Sequence, residues 1–278
     1  VFFDDVRVPV DNRLGDEGQG WQVAMATAGF ESDRQQVMLY DRATGERTSL
    51  TADWDVSVQS MAWAPDSRSL VVEVEERGEH NLYRIAVAGG PPAPVATGGY
   101  NSGGQFLPRG AGVVFLRQTA ANPPELHLIR FDGRTPVRQL TDLNSRALAA
   151  LDLSPAERFA FVGAKGDSVH GLLIKPPGFD PTHRYPVAYL IHGGPQGAWL
   201  DQWHARWNYA QFASRGYVVA AVNFHGSTGY GQAFTNSITQ HWGDLPYEDL
   251  MKGVQYLETL PYVDGARHIE IQIFGDTH

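Results

Sequence analysis

The sequence predicts a β-propeller fragment followed by the first part of an α/β domain, and three observations carry the prediction. Short strand patterns recur between residues 32 and 165 with a period in the forties. Two apolar runs, Pro186 to Ile191 and Tyr217 to Val222, each stop at a glycine-rich turn. A helix-patterned interval lies between those runs, which is the order of consecutive buried parallel strands.

The repeat has two parts. Val37 to Asp41, Leu82 to Ile85 and Leu126 to Asp132 are equivalent at steps of 45 and 44 residues. Met61 to Asp66, Gly104 to Pro108 and Leu151 to Pro155 keep the same rhythm at 43 and 45. About four short strands per period is the pattern of propeller blades, and about three units fit the span. A ring of four to eight blades does not, so the propeller is expected to be partial. Trp54, Trp63, Phe106, Phe115, Phe131, Phe159 and Phe161 are expected to fill the spaces between blades.

Val169 to Lys175 reads as a strand that Pro176 and Pro177 stop, with a structural role for His170 beside Gly171. Trp203 to Arg215 and Tyr247 to Leu260 read as helices, the second with Tyr247, Leu250, Met251, Val254 and Leu257 as its apolar stripe. His204, His241, Glu248 and Asp249 lie on or near these helices and are expected at the surface or behind a site. Glu248 and Asp249 do not suit a paired-carboxylate mechanism, because adjacent helical residues point in different directions.

Ligands of open α/β sheets bind beyond the carboxyl ends of the strands, where His192 to Pro195 and His225 to Gly231 fall. A His-Gly-Gly turn there presents backbone N–H groups to a reacting atom. Tyr185-Pro186-Val187-Ala188-Tyr189-Leu190-Ile191-His192-Gly193-Gly194-Pro195, Asn223-Phe224-His225-Gly226-Ser227-Thr228-Gly229-Tyr230-Gly231, and Trp242-Gly243 leading to Glu248-Asp249-Leu250 together resemble the prolyl oligopeptidase family of serine peptidases. The likeness is to its acylaminoacyl-peptidase and dipeptidyl-peptidase branch. The resemblance implies a β-propeller fragment (32–165) followed by the N-terminal part of an α/β-hydrolase domain (166–267). It also implies Gly194, in the turn of His192, Gly193 and Gly194, as a backbone donor of the oxyanion hole.

No Gly-x-Ser-x-Gly occurs in the 278 residues, so the nucleophile of such a peptidase, with its base and acid, is missing from the sequence. No catalytic triad residue is therefore assigned, and the chain is expected to be inactive by itself. An alternative is a non-catalytic peptide-binding or assembly protein.

Two flanks read differently. Phe2 to Pro9, the turn Gly15 to Gly20 and a helix start at Trp21 make residues 1–31 similar to acyl-CoA dehydrogenases. Arg267 to His278 resembles a strand of the biotin carboxylase module, by which His268 would approach a nucleotide phosphate. The chain is thus expected to be composite, with 268–278 as its last segment.

The totals exclude several classes. Net charge is −9, with 22 basic residues scattered among 31 acidic ones, which does not suit nucleic acid. No apolar run reaches the roughly 18 to 20 residues of a membrane span. Zero cysteines remove disulfides and a thiol nucleophile. No paired histidine spacing suggests a metal and no cofactor is expected, while the family resemblance implies a peptide substrate as partner. Oligomeric state and compartment are left open, and no basic-then-apolar leader is visible.

Overall fold

The computed structural model describes residues 33–272 apart from Pro195 and His241. The dehydrogenase-like residues 1–31 lie outside the described residues.

A hairpin of β1 (Met38–Tyr40) and β2 (Arg47–Ser49) comes first. Next, β3 (Val58–Trp63), β4 (Ser69–Glu76), β5 (Glu79–Ala86) and β6 (Ala93–Ala96) form an antiparallel meander. A second meander of β7 (Tyr100–Phe106), β8 (Gly112–Thr119), β9 (Asn122–Arg130) and β10 (Arg138–Gln139) follows. The meanders join edge to edge at one parallel pairing, His80 with Tyr100. A buried polar seam holds that point: the His80 ring donates from Nδ1 to the Asn101 carbonyl at 2.7 Å, and Asn101 Nδ2 returns a bond to the His80 carbonyl at 3.0 Å.

Strand alternation explains how the units pack. Leu70, Val72 and Val74 of β4 face a cluster that includes Val37 beside the hairpin, whereas Val71 faces Val113 and Phe115 of the second meander. The first meander is therefore apolar on both faces. Trp63 departs from the expected inter-blade packing: it is half exposed, because β3 is an edge strand. The third equivalence of the second set also fails, since Leu151 to Pro155 form no strand.

The second sheet contains β11 (Glu157–Val162), β12 (Ser168–Ile174), β13 (Tyr185–Ile191), β14 (Val218–Asn223) and β15 (Val263–Gln272). Their order is β11-β12-β14-β13-β15, antiparallel as far as β14 and parallel across β14, β13 and β15. β11 thus lies in this sheet, although its sequence precedes the boundary expected at residue 165. Phe159 and Phe161 go with it and stack on Tyr256 instead of filling a space between blades. β14 is buried along its whole length because both faces of the sheet are covered. β15 continues across Arg267 and His268, where the sequence changes character.

The described residues also form four α-helices, α1 (Ser145–Leu148), α2 (Tyr209–Ala213), α3 (Gln232–Asn236) and α4 (Asp244–Glu258), and two short 3-10 turns. Tyr209 and Ala213 of α2 pack on one face of the sheet, and Leu257 of α4 on the other. α2 is shorter than the helix expected from Trp203. The His204 ring accepts the backbone N–H groups of Arg206 and Trp207, which folds a turn there, and Asn208 then caps α2 by accepting from the Ala210 N–H. None of the described helices is long and apolar enough to cross a membrane.

The β4–β5 turn plugs the first sheet into the second. Arg77 and Gly78 take positive φ, as a two-residue hairpin turn requires. The Arg77 N–H donates to Gly229, the Gly78 carbonyl accepts from Asp201, and Arg158 bonds to both the Arg77 carbonyl and Glu79. Asp201 reaches back to the Ala120 N–H at 2.7 Å, and burial raises its carboxyl pKa.

Candidate active site

The parallel pair of β13 and β14 puts two loops side by side beyond the carboxyl ends of these strands. After β13 come His192, Gly193 and Gly194, and after β14 comes the turn Phe224 to Ser227. The Ser227 N–H donates to the Phe224 carbonyl at 2.9 Å, and Gly226 at the third position has φ +98°. That conformation suits glycine in a type II turn, and a Cβ at Gly226 would lie 2.3 Å from Ile238.

Asp249 of α4 anchors this turn. One carboxylate oxygen accepts the His225 backbone N–H at 2.7 Å and lies 2.6 Å from His225 Nδ1, while the other accepts the Ala164 N–H at 2.7 Å. His225 Nε2 faces Asp167 at 3.2 Å. Asp249 is fully buried and lies behind the turn, the second of the two placements expected for it. Glu248 beside it is exposed and pairs with Lys252 at 2.7 Å. The buried positions of α4 are Pro246, Asp249, Gly253 and Leu257, whereas Tyr247 and Met251 of the expected stripe face outward.

His192 is buried and stacked on Phe224, ring centroids 4.2 Å apart. Its Nδ1 lies 3.0 Å from the Gly193 carbonyl, which can only accept, so the proton sits on Nδ1. Its Nε2 lies 2.9 Å from the Ser227 hydroxyl, which therefore donates to it. Burial pushes the imidazole pKa down to about 4, against a smaller opposing effect of the Gly193 carbonyl, so the ring is neutral at pH 7. A serine paired with a neutral histidine suggests a nucleophile, but Ser227 is 0% exposed and a substrate cannot reach it.

Gly193 is half-buried and Gly194 exposed, the latter with φ +125°. A Cβ at Gly194 would meet the Gln196 nitrogen at 2.9 Å. The following loop is tied down from both sides: Asn223 accepts the Trp199 N–H at 2.7 Å and donates to the Trp199 carbonyl at 3.0 Å, and Thr228 N–H donates to Gly197.

The structure brings His192, Gly193 and Gly194 together and leaves His268 apart. In β15, His268 pairs with Val187 in the first half of β13, away from the carboxyl ends where α/β sheets bind ligands. Its Nε2 is buried with no hydrogen-bond partner among the described residues. His278 lies outside the described residues. A cavity of about 350 Å³ between the two sheets, lined by Glu76, Arg77, His170 and Tyr230 among others, includes none of residues 192–194. His170 stacks on Tyr230 there.

Sequence reasoning missed Ser227 as part of this site and left Asp249 between the surface and a place behind a site. Ser227 was visible only as a serine without the Gly-x-Ser-x-Gly context, and no pattern separates Asp249 from Glu248 until the helix is packed.

Residues 203–271 match the model of the prolyl oligopeptidase family. The chain is 34% identical over 269 residues to dipeptidyl-peptidase 5 of Schizosaccharomyces pombe, covering 93% of this chain and 38% of that protein. It is 38% identical over 248 residues to a probable dipeptidyl-peptidase 5 of Emericella nidulans, covering 86% of this chain and 34% of that protein. In structure it is similar to Pyrococcus horikoshii acylaminoacyl peptidase, with a TM-score of 0.74 and 26% identity over 87% of this chain and 37% of that one. The alignment with the Schizosaccharomyces pombe protein takes in more of the chain than residues 32–267 amount to, so the expected composite origin finds no support. The chain is thus similar in sequence and in fold to the serine peptidases of the prolyl oligopeptidase family, and it spans a little over a third of the length of these relatives.

Proposed function

We propose that this chain is the oxyanion-loop portion of a serine peptidase that releases amino-terminal units from peptides through an acyl-enzyme. One observation carries the proposal: an exposed, positive-φ Gly194 directly beyond the carboxyl end of β13, held beside the β14 turn, in a fold similar to an acylaminoacyl peptidase. In such a site the Gly194 N–H donates to the oxyanion that forms when the scissile carbonyl is attacked. Stabilising charge that appears only in the transition state is usually the largest single catalytic effect. The stacked meanders are proposed as successive blades of a propeller lying before the hydrolase sheet.

Attack on the carbonyl needs a serine that the 278 residues do not supply in a Gly-x-Ser-x-Gly turn. The non-catalytic peptide-binding reading draws on this same feature.

A fluorophosphonate probe, which reacts only with an activated serine, separates the two readings. The chain alone is expected to remain unlabelled. A chimera in which residues 33–267 replace the matching stretch of the Schizosaccharomyces pombe dipeptidyl-peptidase 5 is expected to label and to release dipeptides. A folded chimera that does neither would falsify the peptidase proposal.

A further inference from the structure

We propose that Ser227 is a positioning residue which, through His192, fixes the direction of the Gly194 N–H. The inference rests on the proposed role of Gly194 as an oxyanion donor.

One peptide bond joins Gly193 to Gly194. The Gly193 carbonyl and the Gly194 N–H belong to the same planar trans unit, so they point in opposite directions. His192 Nδ1 holds that carbonyl at 3.0 Å, and the Gly194 N–H is therefore directed away from the imidazole. A glycine-glycine peptide has little of its own to resist rotation, because neither residue carries a Cβ. Without the His192 bond, the unit is free to turn over and take the donor with it.

His192 can hold the carbonyl only with its proton on Nδ1. The Gly193 carbonyl sets that tautomer, and the Ser227 hydroxyl at 2.9 Å completes it by donating to Nε2, which holds the far side of the ring in place. Ser227 is itself immobilised. Its N–H is bonded to Phe224 and its carbonyl accepts from Thr235 Oγ1 at 3.1 Å. Phe224, stacked on the His192 ring, sets the ring plane. Ser227 thus serves an acyl-transfer site without touching the substrate.

The test is nuclear magnetic resonance on the whole 278-residue chain, with ¹⁵N-labelled histidine and glycine. At pH 7 the His192 ring is expected to carry its proton on Nδ1, with Nε2 showing the shift of an unprotonated acceptor. Protonation on Nε2 overturns the proposal without any variant being made. Ser227→Ala and His192→Phe, the second keeping a ring on Phe224, are both expected to shift the Gly194 amide resonance and speed its hydrogen exchange. A Gly194 amide unmoved in both variants overturns the proposal as well. If the amide responds but the peptidase chimera shows no turnover, the relay stands and the oxyanion role of Gly194 fails.

Discussion

The carboxylate of Asp249 holds His225 twice, accepting its backbone N–H at 2.7 Å and lying 2.6 Å from its ring Nδ1, with both residues sealed from water. Through this pair, a helix on one face of the sheet fixes the loop beyond β14. That loop carries Ser227, Ser227 meets His192, and His192 meets the Gly193 carbonyl. A path of four polar contacts therefore runs from α4 to the glycine turn.

Asp249→Ala is expected to lower the stability of the chain by about 3 kcal/mol or more. It leaves the buried His225 and Ala164 N–H groups without an acceptor and the His225 ring without its closest partner. Urea denaturation followed by circular dichroism measures the loss. Glu248→Ala, one residue away on an exposed ion pair, is expected to change it by less than about 1 kcal/mol.

Gly253→Ala in α4 reverses the usual sign. In an ordinary helix interior the change stabilises by roughly 1 kcal/mol, but here the new Cβ would stand 2.3 Å from the Tyr189 hydroxyl. The single variant is expected to melt at lower temperature than the parent. Tyr189→Phe removes the clashing oxygen, so the double variant is expected to recover part of the loss in a double-mutant cycle.

Acid is expected to weaken the fold through His192. Its pKa is lowered from 6.5 to about 4 by burial, so between these values the unfolded chain binds a proton that the folded chain refuses. Stability therefore rises with pH across this window: the penalty is absent above about pH 6.5, grows as pH falls, and is complete near pH 4. Its full size is on the order of 3 kcal/mol. Denaturation midpoints at a series of pH values are expected to show a shallower slope from pH 4 to 6.5 in His192→Phe, and an identical slope contradicts the assignment.

Much of the site was legible because it depends on local chemistry. The apolar runs at Val187 to Leu190 and Val218 to Val222 can be buried only in a sheet covered on both faces, and they pair in parallel as expected. The positive φ of Gly194 and Gly226 follows from turns that side chains would obstruct.

What was not legible depends on helical phase and on competition from side chains. Hydrophobicity pointed α4 inward through Tyr247 and Met251, yet small residues at Pro246 and Gly253 let the backbone approach, and Asp249 turns in with them. The His204 ring and the Asn208 cap shortened α2 by offering backbone N–H groups partners outside a helix. Trp63 reads as core from its apolarity alone, and only the sheet order shows that its strand lies at an edge.

The most direct test of the oxyanion role is steady-state release of dipeptides by the chimera described above, with and without Ser227→Ala. Loss of one oxyanion donor lowers kcat by about 10²–10³-fold in other acyl-transfer sites. A donor left free to turn away is expected to cost about tenfold or more in kcat with KM nearly unchanged. Parent-like kcat, or an effect confined to KM, in a folded Ser227→Ala chimera whose Gly194 amide resonance has moved would contradict the assignment of the glycine turn to transition-state stabilisation.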